Sequence, residues 1–294
     1  MSQPDNSPSS GVSGVIHDIG YQRYEGPRLG RRYATRSLYV HGLRAAFGIG
    51  RGGWAKVLPM GIVGLAAIAA LVLVVVSSQL PDPVLDYVGI ASVFTYAATT
   101  FVAVVAPELV STDLRGNLLS LYLSRPLRRR DYALAKLASL ASAAFLVLAV
   151  PMLVMFVGLA LQTDDGIGGV FGELGGFLVG LLAALVHAAL VAAIALPLAS
   201  LSGRRVFATG LIIAVFLLTA PVSVSVRAMG GGANEIGGVL DPVMLLNGVD
   251  QQVFGGSLGM ADVGSYGAVY VIVTIVLTAL GVAGLLRRYR RIDS

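Results

Sequence analysis

The stretch LGGFLVGLLAALVHAALVAAIALPLAS, from Leu174 to Ser200, decides the fold class of this chain. It contains no Asp, Glu, Lys or Arg. Charged residues of this kind cost about 2.5 to 3.5 kcal/mol each at the centre of a membrane-spanning helix. A helix rises about 1.5 Å per residue and a hydrocarbon core is about 30 Å thick, so a run of this length can cross a bilayer. The stretch therefore predicts a transmembrane helix.

Five further uncharged, apolar runs of similar length lie along the chain. They are Val57 to Ser78, Tyr87 to Ala106, Leu137 to Leu161, Val206 to Val226 and Tyr266 to Leu286. Only 13% of all residues are charged, whereas soluble proteins average about 25%. Transmembrane barrels show alternating segments of about ten residues, and these runs are continuous blocks instead. The sequence therefore predicts an all-α polytopic membrane protein, with six transmembrane helices in a domain over 57–286.

The cations are distributed unevenly among the segments that connect these runs. Every Lys and Arg except Arg227 lies before the first run, between the second and third, between the fourth and fifth, or after the sixth. By the positive-inside rule, we expect both termini of a multi-pass plasma-membrane protein to be cytoplasmic. The net charge of +5 follows from this topology, so no nucleic-acid partner is needed to explain it.

The connecting segments define the remaining regions of the chain. Residues 1–30 are a cytoplasmic tail that begins with a Pro- and Ser-rich, disorder-prone stretch, and residues 287–294 are the cytoplasmic C-terminal tail. Residues 107–136 form a cytoplasmic loop, and residues 227–265 form a Gly-rich extracellular loop. The first 56 residues lack the apolar core of a signal peptide, so we expect the first run to act as its own insertion signal.

The region 31–56 is predicted to be an amphipathic helix in the plane of the membrane interface. Its apolar stripe has helical spacing and its cations lie elsewhere around the helix. The stripe is Tyr39, Leu43 and Phe47, and the cations include Arg36 and Arg44.

The loop 107–136 has a helical pattern of its own. Leu114, Leu118 and Leu121 recur at i, i+4 and i+7, and Tyr122 joins them. Pro107 is suited to begin this helix and Pro126 to end it. We therefore expect a short amphipathic helix from about Glu108 to Leu123 at the cytoplasmic face of the membrane.

Three stretches together resemble a known family. They are HDIGYQRYEGPRLGR (His17 to Arg31), PELVSTDLRGNLLSLYLSRPLRRRDYALAK (Pro107 to Lys136) and LDPVMLLNGVDQQVFG (Leu240 to Gly255). In order and in their placement around six runs, they resemble ABC-2-type permeases, the membrane subunits of ATP-binding cassette exporters, and actinobacterial members in particular. The second stretch is the most specific, because family members similarly combine an acidic residue, Arg-Gly, Leu-rich turns, Ser-x-Pro and a Lys there.

The resemblance implies a coupling helix in the loop 107–136 that docks into a groove on a separate ATPase subunit. The residues that would make this contact are Glu108, Asp113, Leu114, Arg115, Gly116, Leu118, Leu121 and Tyr122. The helix over 31–56 would correspond to the connecting helix along the inner leaflet. The short helices of the outer loop would dip back from the outer face; a solvated, irregular loop is the alternative.

The resemblance also implies the partners and the cargo. Two permease subunits, identical or different, would form the pathway for a hydrophobic or amphiphilic drug or lipid-like substrate, in contact with membrane lipids. ATP and Mg²⁺ would bind to the ATPase, since this chain has no P-loop. It also has no Cys and no zinc or nucleophile motif, so we expect no enzyme activity, no metal and no cofactor in this subunit.

His187 lies near the middle of the fourth run and has two interpretations. It is either a proton relay or substrate contact in the pathway, or a neutral imidazole that is hydrogen-bonded to a neighbouring helix. The first interpretation would suit a secondary transporter or channel that works without an ATPase. A non-transporting membrane scaffold that recruits a cytoplasmic protein is a further alternative.

Glycines at 172, 176 and 180 lie four residues apart at the start of the fourth run. This spacing lets a neighbouring helix approach closely, either within the chain or across a dimer interface. We expect packing within the chain.

Overall fold

The computed structural model describes residue 26 and residues 29–80, 84–115, 127–163, 166–256, 258 and 263–291, and for 111–115 it describes the backbone alone. Within these ranges the protein is all-helical. Six of the helices are long and apolar enough to cross a membrane, which is the architecture of a multi-pass membrane protein.

The α-helices of the described ranges follow one another along the chain. They are α1 (Arg31–Ala46), α2 (Gly53–Ser77), α3 (Tyr87–Arg115), α4 (Arg129–Gln162), α5 (Gly166–Leu201), α6 (Arg205–Arg227), α7 (Gly232–Gly237), α8 (Pro242–Val249) and α9 (Gly267–Arg291). A 3₁₀ turn follows α7 at Gly238–Leu240, a π-helical turn follows α8 at Asp250–Phe254, and a 3₁₀ turn precedes α9 at Gly264–Tyr266.

The six predicted runs are confirmed as helices α2 to α6 and α9. Several helices extend beyond their apolar runs; α4, for example, begins at Arg129 rather than Leu137. When a helix continues past its apolar run, the backbone N–H and C=O groups of the added residues remain hydrogen-bonded. The polar residues of this extension lie where the membrane boundary would be.

Helix α3 lies at the centre of the bundle. In its apolar window 72% of the residues are buried within the protein, compared with 22% in α2 and 17% in both α6 and α9. Helices α4 and α5 both pack against α3 and against each other, whereas the apolar windows of α2, α6 and α9 are mostly not buried within the protein. Helix α3 is therefore the inner helix of the bundle, and a movement of α3 would change its packing contacts with the helices around it.

Glycines allow α5 to contact α3 directly. A Cβ atom on Gly180 would lie 2.6 Å from Cβ of Tyr87, and one on Gly176 would lie 2.9 Å from the Tyr87 ring. A Cβ on Gly172 would meet nothing within 4 Å. Two of the three spaced glycines thus serve packing within the chain, as expected.

Pro107 does not begin a separate helix, and on this point the prediction is wrong. Helix α3 continues through Pro107 without interruption as far as Arg115. The side chains on both sides of the proline, including Val105, Leu109 and Val110, are buried. Their packing outweighs the loss of one backbone hydrogen bond at the proline, which is a common situation in membrane helices.

The single helix predicted over 31–56 is interrupted, because α1 ends at Ala46 and a turn separates it from α2. Gly48 is required in this turn: its φ is 66°, and a Cβ there would lie 2.6 Å from the carbonyl oxygen of Ala55. Helix α1 packs along α4, where Gly42 meets Ser139 and the Tyr39 hydroxyl donates a hydrogen bond to Ser142 Oγ at 2.9 Å.

Candidate functional site

The described part of the segment between α6 and α9 is folded into the bundle through polar contacts. Asp241 is buried and caps α8, accepting hydrogen bonds from the backbone N–H of Met244 at 3.2 Å and from the Thr219 hydroxyl of α6 at 3.1 Å. The Tyr270 hydroxyl of α9 donates to the Glu235 carbonyl at 2.6 Å. These contacts tie α7 and α8 to both neighbouring helices and rule out an irregular, solvated segment at these positions.

Asp250 follows α8 and lies in the interior of the bundle. Its side chain is fully buried, and its carboxylate reaches two helices at once. Ser92 Oγ of α3 donates to Oδ2 at 2.6 Å, and Nε2 of His187 on α5 lies 3.0 Å from Oδ1. The other imidazole nitrogen, Nδ1, lies 2.5 Å from Thr95 Oγ1 on α3. We call Ser92, Thr95, His187 and Asp250 the buried polar cluster.

The local backbone explains how the carboxylate reaches this depth. Asp250 starts the π-helical turn, which ends at Gly255 with a φ of 71°. Ser92 and Thr95 are three residues apart, so they share one face of α3. Such π turns are rare and often occur at functional sites.

The hydrogen atoms of the cluster can be counted. Thr95 Oγ1 also lies 2.7 Å from the Ala91 carbonyl, and a hydroxyl has one hydrogen to donate. When Thr95 donates this hydrogen to the Ala91 carbonyl, Nδ1 of His187 must carry a hydrogen and donate it to Thr95 Oγ1. The hydrogen bond between Nε2 of His187 and Asp250 then needs a second hydrogen, which lies on either the ring or the carboxyl group. When Thr95 donates to Nδ1 instead, Nε2 carries the ring hydrogen and donates it to Asp250.

His187 is thus hydrogen-bonded to neighbouring elements, as the second interpretation of the sequence expected, but one of its partners is an acid. Buried ionisable pairs inside a membrane domain are costly and are often functional. The sequence offered little signal for this partner, because Asp250 lies 63 positions away and was assigned to an extracellular loop.

A second polar cluster lies at the opposite end of the bundle, where the described cations other than Arg227 gather; we call this the cationic end. Glu108 of α3 forms ion pairs with Arg51, in the turn between α1 and α2, and with Arg205 at the start of α6, where the Nη2 to Oε2 distance is 3.2 Å. The Glu108 side chain is 12% exposed, whereas Arg51 and Arg205 are 37% and 56% exposed. Glu108 therefore joins three elements at this end.

Two further contacts hold the cationic end together. Asp131 of α4 accepts two hydrogen bonds of 2.5 Å from Arg31 of α1, and these raise the pKa of the Arg31 guanidinium. Lys136 of α4 is buried, and its Nζ donates to the Leu109 carbonyl of α3 at 2.8 Å. Sequence reasoning had not assigned these contacts.

The other predicted site residues divide into two groups. On α1, Arg36 and Arg44 are exposed, and Tyr39 and Leu43, together with Phe47 directly after the helix, are half-buried against the core. Of the predicted coupling helix, Asp113, Leu114 and Arg115 belong by their backbone to the last turn of α3, and their side chains lie outside the described residues. Gly116, Leu118, Leu121 and Tyr122 lie outside the described residues entirely.

Comparisons with known proteins provide no family for the chain. No protein-family model matches the sequence, and no curated protein does. Within the described ranges, no three His, Cys, Asp or Glu side chains come together as a metal site would require. The features that define the protein are thus the six membrane-capable helices and two polar clusters that share α3.

Proposed function

We propose that this chain is the membrane subunit of an exporter that is driven by a separate ATPase, similar to an ABC-2-type permease. It would move a hydrophobic or amphiphilic compound out of the cell across the plasma membrane, with both termini in the cytoplasm. The observation that carries the proposal is the continuity of α3, which runs from the buried polar cluster to Arg115 at the cationic end.

Helix α3 has the properties of a mechanical link. At about 1.5 Å per residue, the part from Thr95 to Arg115 is about 30 Å long. A displacement at its cationic end would act on the bonds that Ser92 and Thr95 make with Asp250 and His187. Asp250 belongs to the segment between α6 and α9, so this segment would respond to events at the far end of the bundle. An exporter needs such a connection, because nucleotide is bound far from the exit.

The ATPase would contact the cationic end of this link and the residues that follow it. In the proposal, Leu114, Leu118 and Leu121 enter an apolar groove of the ATPase, while ATP and Mg²⁺ bind within that subunit. Glu108 is already paired with Arg51 and Arg205. Its role would therefore be to align α3 with its neighbours rather than to reach the ATPase. A second permease subunit, identical or different, would complete the pathway.

Transport assays in inside-out vesicles test the proposal. The chain is co-expressed with an ABC ATPase of the same cell, and ATP-dependent uptake of a lipophilic dye or a fluorescent lipid is measured. We expect uptake with both subunits and none with either alone. Leu118→Asp should abolish ATPase binding and uptake, because it places a carboxylate in an apolar groove. Leu29→Asp, at an exposed position, is the matched control and should retain both.

The mechanical link is tested by distance measurements. Because the chain has no cysteine, two introduced cysteines carry spin labels without background. Val253→Cys labels the π turn and Phe171→Cys labels α5, and both positions are exposed. We expect the distance between the labels to change when ATP is added in the presence of the ATPase. An unchanged distance during active transport would contradict a link through α3.

The buried pair of His187 and Asp250 favours a second candidate, a proton-coupled carrier that needs no ATPase. Proton-coupled carriers use buried ionisable groups of this type. In vesicles that contain the chain alone, such a carrier would move its substrate when a pH gradient is imposed, and His187→Phe would stop it. A scaffold that only recruits a protein would bind its partner and transport nothing under either condition.

A further inference from the structure

A groove lies between the ends of α5 and α9 at the cationic end. Its volume is about 410 Å³. Its walls combine apolar residues with arginines: Pro197, Leu198, Leu201, Gly284, Arg287, Arg288 and Arg291. This groove shares no lining residue with either polar cluster.

The packing of the two helices creates the groove. A Cβ atom on Gly281 would lie 2.1 Å from the carbonyl oxygen of Ala193, so α9 and α5 touch closely at this level. One turn further along α9, a Cβ on Gly284 would meet nothing within 4 Å. The helices therefore diverge between these two glycines, and the space opens towards the cationic end.

The arginines of this groove differ from three other arginines at the cationic end, which are paired with acidic residues. Arg31 is paired with Asp131, and Arg51 and Arg205 are paired with Glu108. By contrast, none of the described residues that line the groove is acidic. The Nε atom of Arg288 is buried and has no hydrogen-bond partner among the described residues. Three guanidinium groups and a buried donor without a hydrogen-bond partner favour the binding of an anion in this groove.

An apolar track leads from the groove along the outside of α9. Leu280 lies one turn before Gly284 on the same face and is 62% exposed, and Val276 lies one turn before Leu280 and is also exposed. On α5, Leu201 is exposed beside the arginines. The site thus has a cationic end and an apolar approach, arranged along the helix axis.

We propose that this groove binds an anionic glycerophospholipid of the adjacent leaflet. The guanidinium groups of Arg287, Arg288 and Arg291 would hold the phosphate, since arginine forks match phosphate oxygens geometrically. One acyl chain would follow the track of Leu280 and Val276. Basic pockets between transmembrane helices bind anionic headgroups in this way. The proposal does not depend on whether transport is driven by an ATPase.

Native mass spectrometry of the protein from nanodiscs of phosphatidylglycerol and phosphatidylcholine tests the site. We expect the wild type to retain phosphatidylglycerol in preference to phosphatidylcholine. Replacing Arg287, Arg288 and Arg291 together with Gln should weaken this binding about 100-fold, at about fivefold for each arginine. Gly284→Leu keeps all three arginines and fills the groove, and the open space at this position lets it fold normally. It should also lose the lipid.

Two controls distinguish specific lipid binding in the groove from a general attraction between the cationic end and anionic lipids. Replacing Arg32, Arg44 and Arg130 with Gln removes the same charge from exposed positions at the same end, and this variant should retain phosphatidylglycerol. Inorganic phosphate at millimolar concentration should not displace the lipid, because phosphate lacks the acyl chain. Retention of the lipid by Gly284→Leu, equal loss in the exposed-charge variant, or displacement by phosphate alone would each overturn the proposal.

Discussion

The two polar clusters along α3 differ in their surroundings, although both connect acidic side chains to basic ones. At the cationic end, the arginines that meet Glu108 are exposed to solvent, so each pair is screened and weak. In the buried polar cluster, Asp250 and His187 have no solvent access, and each lost bond leaves a polar group without a partner. We therefore expect the acid–base contacts at the cationic end to contribute little to the stability of the protein, and those in the interior to contribute much more.

The most direct way to break the buried cluster is Asp250→Ala. It leaves the Ser92 hydroxyl without its acceptor and Nε2 of His187 without its hydrogen-bond partner, so we expect a loss of about 3 kcal/mol in the free energy of unfolding. SDS titration in mixed micelles, followed by circular dichroism, measures this loss. Asp250→Asn keeps an acceptor for Ser92 and should lose less. Stability within about 0.5 kcal/mol of wild type for Asp250→Ala would mean that the cluster is not essential.

A packing contact without charge provides the next comparison. Gly281→Ala forces a Cβ against the Ala193 carbonyl and should destabilise the protein by about 1 to 3 kcal/mol, because backbone atoms cannot move aside as a side chain can. Gly284→Ala, one turn away on the same helix, has open space and should be neutral or slightly stabilising. The same titration measures both variants. Equal effects would show that α5 and α9 are not in close contact at Gly281.

A double-mutant cycle sharpens the comparison between the clusters. Replacing His187 with Phe and Asp250 with Leu together removes both partners, so the double variant should be more stable than the sum of the two single losses predicts. We expect a coupling energy of about 1 to 2 kcal/mol. The corresponding cycle for Glu108→Gln and Arg205→Gln should give less than about 0.5 kcal/mol. Similar coupling in the two cycles would show that the acid–base contacts of the two polar clusters do not differ in strength.

The smallest effect is expected at the cationic end itself. Glu108→Gln removes the charge that Arg51 and Arg205 share and should cost about 0.5 to 1 kcal/mol at low salt. The cost should fall as ionic strength rises, since exposed pairs are screened. Unfolding measured at low and high salt checks both statements. A large loss in the free energy of unfolding that does not depend on salt would show that Glu108 contributes to stability as a buried group does, like Asp250.

Some features of the fold were predictable from particular residues. The uncharged runs indicated all six long helices, because length and apolarity alone decide whether a segment can cross a membrane. The helix boundary at Pro107 was predicted wrongly, since a local rule about proline says nothing of the packing around Val105 and Leu109. Gly176 and Gly180 indicated a close helix contact, but only the structure identified Tyr87 as the partner.

Only one residue of the buried polar cluster could be predicted from the sequence. His187 drew attention because it is an ionisable residue in an apolar run. Asp250 did not, because a Gly-rich stretch with short apolar pieces has no regular period from which depth in the bundle could be deduced. The pairing of Glu108 with Arg51 and Arg205 was equally hidden, since these residues come from three separate connections.

The sequence by itself determined that this is a multi-pass helical protein with its cations gathered between particular runs. These properties depend on the transfer free energy of each segment, which is local. Only the tertiary structure decided that Asp250 meets His187, that α3 continues to Arg115, and that α5 and α9 diverge beyond Gly281. Such contacts depend on how side chains from distant segments fill one interior, and no single segment contains that information.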